Sequence, residues 1–92
     1  MRYQILISEA ALKDIDDIEY YIGVVLLNPL AAKRLVRRIE LKINTLSFMP
    51  ARNKIRDNFY KVKVGNFRII YKIENNIVIV LNVVYSKRNY SI

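Results

Sequence analysis

Tyr60-Lys61-Val62-Lys63-Val64-Gly65-Asn66-Phe67-Arg68-Ile69-Ile70-Tyr71-Lys72 is the stretch that decides the fold. Two β-branched and aromatic runs flank Gly65-Asn66, a two-residue turn signal, so the stretch reads as a β-hairpin. Side chains alternate faces along a strand. A two-residue loop sets Val64 opposite Phe67, Lys63 opposite Arg68, Val62 opposite Ile69 and Lys61 opposite Ile70. One face is then apolar: Tyr60, Val62, Val64, Phe67, Ile69, Tyr71. The other carries Lys61, Lys63, Arg68 and Lys72 around Ile70. Like charges directly opposite each other destabilise a sheet pair. A face that accepts this cost is a candidate surface for a polyanion.

Upstream, Arg2 to Ile7 predicts a short strand in which Tyr3, Ile5 and Ile7 alternate with Gln4 and Leu6. Ser8 is a natural N-cap for a helix beginning near Glu9. Leu12, Ile15, Ile18, Ile22 and Val25 recur at helical spacing. Asp14, Asp17 and Glu9 lie off that stripe and read as a solvated face. Asn28-Pro29 ends this helix and starts the next, with Asn28 as N-cap and Pro29 at the first helical position. Ala32, Leu35, Val36, Ile39, Ile43 and Leu46 form a second stripe, flanked by Lys33, Arg34, Arg37, Arg38 and Lys42. The short connection predicts an antiparallel helical hairpin.

Downstream, Ala51 to Asn58 reads as a polar loop. Glu74-Asn75-Asn76 marks a second turn. Ile77 to Tyr85, broken only by Asn82, reads as a central strand buried on both faces. Ile79, Leu81 and Val83 are expected to line the open face beside the lysines. The prediction is a single α+β domain over residues 1–92. An N-terminal strand and an antiparallel helical hairpin precede three antiparallel strands (βααβββ), and the helices cover one sheet face.

Composition narrows the chemistry. The chain of 92 residues has no Cys and no His. It therefore has no disulfides, no thiolate metal site, and none of the commonest general acid–base side chain. No cofactor or metal is expected. Net charge is +8. Residues 1–32 hold two basic residues against five acids, and residues 33–92 hold fourteen against three. Such asymmetry favours nucleic-acid contact on one surface. The longest uncharged run, Tyr20 to Ala32, is thirteen residues, short of the roughly twenty that a membrane span needs. A soluble cytoplasmic protein with no membrane partner is expected.

The segments ILISEAALKDIDDIEYYI, NPLAAKRLVRRIELKINTLSFMP and YKVKVGNFRIIYKIENNIVIVLNVVYSKRNY, in this order, resemble the RelE/ParE superfamily of type II toxin–antitoxin toxins. The resemblance covers about residues 3–90. It implies a cognate antitoxin partner. It also implies one of two activities. RelE-like members cleave mRNA on the ribosome without a metal, while ParE-like members poison DNA gyrase by binding and are not nucleases. The paired lysines of the superfamily match Lys61 and Lys63, and the hairpin arginine matches Arg68. The arginine after the last strand matches Arg88, with Lys87 beside it. The tail tyrosine matches Tyr90, although its spacing after Lys-Arg is shorter here. In metal-free cleavage, the ribose 2′-OH attacks the scissile phosphate. Without His, a lysine or a carboxylate would take that proton, and Lys61 and Lys63 have the cationic neighbours that lower a lysine's pKa. Arg68 and Arg88 would stabilise the developing charge, and Tyr90 would stack on a base or donate a proton. The sequence-level expectation is an mRNA endoribonuclease acting on the ribosome, with gyrase inhibition as the alternative. A nontoxic RNA-binding protein is a third possibility.

Overall fold

A computed structural model describes residues 2–48 and 50–85. The chain runs β1 (Gln4–Ile7), α1 (Glu9–Tyr20), a π-helical turn (Tyr21–Val25), α2 (Pro29–Thr45) and a 3-10 turn (Pro50–Asn53). Then follow β2 (Lys54–Arg56), β3 (Phe59–Val64), β4 (Phe67–Glu74) and β5 (Ile77–Tyr85). The five strands form one sheet in the order β1-β5-β4-β3-β2. The last four strands pair antiparallel, whereas β1 lies parallel to β5. The expected α+β architecture holds, with one more strand than predicted.

The β3–β4 hairpin has the register its sequence dictates, Val64 to Phe67 through Lys61 to Ile70. Gly65 takes the left-handed conformation at φ +58°, which glycine adopts without steric penalty. The Ser8 hydroxyl accepts from the Ala11 N–H at 3.0 Å and caps α1. Asn28 Oδ1 accepts from the Ala31 N–H at 3.2 Å and caps α2. The helices approach closely where Gly23 meets Ala32; a Cβ on Gly23 would lie 3.4 Å from that of Ala32.

The core lies between the hairpin of helices and one sheet face. Ala11 and Ile15 from α1 and Ile39 and Ile43 from α2 pack over Tyr60, Val64, Ile69, Tyr71, Val78, Val80 and Val83. Each fully buried isoleucine contributes about 1.5–3 kcal/mol of transfer free energy. Tyr71 is buried, stacks on Tyr60 at 5.4 Å, and donates its hydroxyl to the Pro50 carbonyl at 2.6 Å.

Five local expectations need correction. The segment 51–58 is not all loop. Its Lys54–Arg56 pairs with Tyr60 and Phe59 as an edge strand through an irregular register, and its charge suits an exposed edge. In α1, Leu12 is 50% exposed and Ala11 takes the buried place. A small side chain there lets the helix sit close to the sheet. Val25 is exposed too, because the π turn spends an extra residue and rotates it off the stripe. Val83 faces the core and not the open face. The β4–β5 register slips between Ile70 and Tyr71, which pair with Asn82 and Val80 and leave Leu81 as the extra residue. One added residue inverts the alternation beyond it. Beyond that slip, Val84 and Tyr85 are exposed, so the last strand is not buried on both faces throughout.

Candidate functional site

The open sheet face is built row by row by the ladder. Arg68 on β4 sits between Lys63 on β3 and Val84 on β5. The next row is Lys61, Ile70 and Asn82, and the one after it Phe59, Lys72 and Ile79. Beside Ile79 lies the exposed Leu6 of β1. Positive charge therefore gathers at the end near the Gly65-Asn66 turn, while half-buried Ile70 and Ile79 floor the middle.

Lys61, Lys63 and Arg68 are brought together as the sequence predicted. Both lysines are exposed, and Arg68 is half-buried. The Nε of Arg68 is buried and, among the described residues, has no hydrogen-bond partner, an unsatisfied donor beneath the charged face. Lys72 is tied instead to Glu74 at 3.1 Å. Arg88 and Tyr90 lie outside the described residues. Among those described, no group of three acidic side chains is placed to hold a metal ion.

Two features escaped the sequence. The first is Asp14, half-buried and not a solvated acid. Its carboxylate accepts from the Val83 N–H at 2.8 Å and from Asn82 Nδ2 at 3.2 Å. The ladder of β1 ends where Ile7 meets Val80. From there Ser8 continues it, its N–H donating to the Val80 carbonyl at 3.0 Å and its hydroxyl to the Leu81 carbonyl at 2.9 Å. Ser8 and Asp14 thus satisfy the edge of β5 where no strand covers it. The polar Asn82 within an apolar run was the available signal.

The second is an apolar groove of about 630 Å³ between the helical hairpin and the open end of the sheet, lined by Ile18, Tyr21, Ile22, Leu26, Phe67 and Tyr85. Phe67 and Tyr85 meet at 5.3 Å across its floor. The hairpin tip beside it leaves Tyr20, Val24, Val25, Leu27 and Leu30 exposed. Leu27 is 83% exposed and held at φ +57°, a conformation that a leucine pays strain to adopt. An exposed apolar surface of this kind is a candidate contact site.

Comparisons with known proteins follow this geometry. A family model described as the ParE toxin of the type II toxin–antitoxin system parDE matches residues 5–90. The chromosomal ParDE system of P. aeruginosa contains a similar fold, with TM-score 0.80 and 16% identity over 94% of this chain and 98% of that one. An archaeal RelE–RelB complex from Pyrococcus horikoshii OT3 gives 0.69 and 17%, over 97% and 100%. The YoeB dimer from Staphylococcus aureus gives 0.62 and 17%, over 92% and 98%. No curated protein matches the sequence. Among the described residues no helix is long and apolar enough to cross a membrane.

Proposed function

The chain belongs to the ParE toxin family of type II toxin–antitoxin systems, and from that premise we propose that it poisons DNA gyrase by binding it as a protein ligand. The observation that carries this is the family match over residues 5–90. The surface is of the right kind, since the groove at Tyr21, Leu26, Phe67 and Tyr85 and the exposed tip beyond it offer apolar area to a protein. Purified protein added to gyrase, ATP and relaxed plasmid should block supercoiling and leave linear DNA. Normal supercoiling at saturating protein would refute this.

Cleavage of mRNA on the ribosome has its own supporting observation, the cluster of Lys61, Lys63 and Arg68 on the open face. On that alternative a lysine takes the 2′-OH proton, and Arg68, with Arg88, stabilises the phosphorane-like charge. Tyr90 donates a proton or stacks. Removing one such donor costs about 10²–10³ in rate. Programmed ribosomes should then cut mRNA with the wild type and lose cutting by that factor with Arg68→Ala. Intact mRNA with the wild type removes the possibility.

Either activity would be silenced by a cognate antitoxin, acidic enough for the basic face or apolar enough for the groove. Growth arrest on expression alone, relieved by a small acidic protein encoded beside this chain, is the expected result. Unimpaired growth would instead favour a nontoxic RNA-binding protein.

A further inference from the structure

The guanidinium of Arg38 lies over the β3–β4 turn. A Cβ added to Gly65 would come within 3.4 Å of Nη1. This approach of α2 to the turn leaves a cleft of about 350 Å³ lined by Arg38, Leu41, Lys42, Lys63 and Val64. Arg38 and Lys42 stand one turn apart on the same face of α2, and Lys63 reaches the cleft from β3. All the described charged residues lining it are cations. Among the described residues none of the three forms an ion pair. Like charges at this helical spacing repel, and a concave wall with apolar neighbours concentrates their field.

Lys63 also belongs to the open sheet face, directly opposite Arg68. The β2 strand covers β3 only at Phe59 and Tyr60, so among the described residues no strand walls off Lys63 from α2. Positive charge therefore runs from Arg68 and Lys61 across Lys63 and around the strand edge to Arg38 and Lys42.

We propose that the cleft between α2 and β3 binds the phosphodiester backbone of a nucleic acid. A run of cations spaced over two elements, without a deep apolar socket, matches a repeating polyanion better than a peptide anchored by its side chains. Only Lys63 is shared with the cluster invoked for mRNA cleavage; Arg38 and Lys42 lie outside it, and the binding is measured without either reaction.

The test titrates the whole protein with two fluorescent probes, a single-stranded RNA and a DNA duplex, across a salt series. Each phosphate contact contributes about 0.7 to the log–log salt slope for single strands and about 0.9 for duplex DNA. The double variant Arg38→Ala/Lys42→Ala should lower the slope by about 1.4 for RNA, or about 1.8 for DNA, and the arm that responds identifies the source. The double variant Lys33→Ala/Arg34→Ala removes equal charge from α2 outside the cleft and should leave the slope unchanged. Lys42→Glu, a single surface change, should weaken binding further than Lys42→Ala. Equal slope losses from both doubles would reduce the effect to diffuse charge and overturn the proposal. So would the absence of salt-dependent binding by the wild type. Displacement of the probe by poly-glutamate as effectively as by unlabelled nucleic acid would overturn it in favour of an acidic protein.

Discussion

Replacing Asp14 by Ala should cost far more stability than replacing Asp17, three residues along the same helix. Asp14 accepts from the Val83 N–H at 2.8 Å and from Asn82 Nδ2 at 3.2 Å, half-buried against β5. Among the described residues Asp17 pairs only with Lys13, at 3.3 Å, with both side chains largely exposed. Hydrogen bonds to a charged group contribute about 1.5–3 kcal/mol, whereas an exposed i,i+4 pair contributes about 0.3–0.5. Both substitutions also gain about 0.5 kcal/mol of helix propensity, which cancels between them. The difference should be about 2 kcal/mol, or about 8–16 °C in midpoint for a domain of this size. Asp14→Asn keeps one neutral acceptor and should fall between. Urea and thermal unfolding followed by circular dichroism measure this, with an unchanged urea slope. Equal midpoints for Asp14→Ala and Asp17→Ala would refute the role assigned to Asp14.

Two further stability changes follow from single contacts. Tyr71→Phe removes the 2.6 Å bond to the buried Pro50 carbonyl and should cost about 1–2 kcal/mol in urea unfolding; a cost below about 0.5 would mean that water replaces the hydroxyl. Leu27→Gly relieves a left-handed leucine that is 83% exposed and should stabilise by about 0.5–1 kcal/mol. A loss of stability there would show that the Leu27 side chain packs in the free protein.

The hairpin was legible because its information is local. Gly65-Asn66 fixes the loop length, and loop length fixes which residues face each other, so Lys61, Lys63 and Arg68 could be placed together without knowing the rest. The caps at Ser8 and Asn28 and the stripe through Ile39 and Ile43 are equally local. What was hidden depends on distant partners. Nothing near Lys54–Arg56 announces that Phe59 and Tyr60 will pair with it. Asp14 looks like any surface acid until β5, nearly seventy residues on, presents an uncovered N–H. The slip at Leu81 moved Val83 to the core because alternation was counted from Ile77 across a residue that the partner strand does not match. The basic face was thus readable from sequence, while the groove and the α2–β3 cleft required knowing where the helices rest.

The parallel pairing of β1 with β5 joins Gln4 to Ile77 and Ile7 to Val80. Everything else in the fold is assembled between those two strands. During synthesis the helical hairpin and the β3–β4 hairpin can form from neighbours in sequence, but β1 has no strand to lie against until Ile77–Tyr85 has been made. Contacts of this span close late, since the long intervening loop must be ordered first. A nascent chain stopped before Ile77 would carry the lysines and the arginine of the hairpin without the strand that flanks Arg68 on its other side. The molecule is thereby built so that its basic face is completed only once β5 is in place.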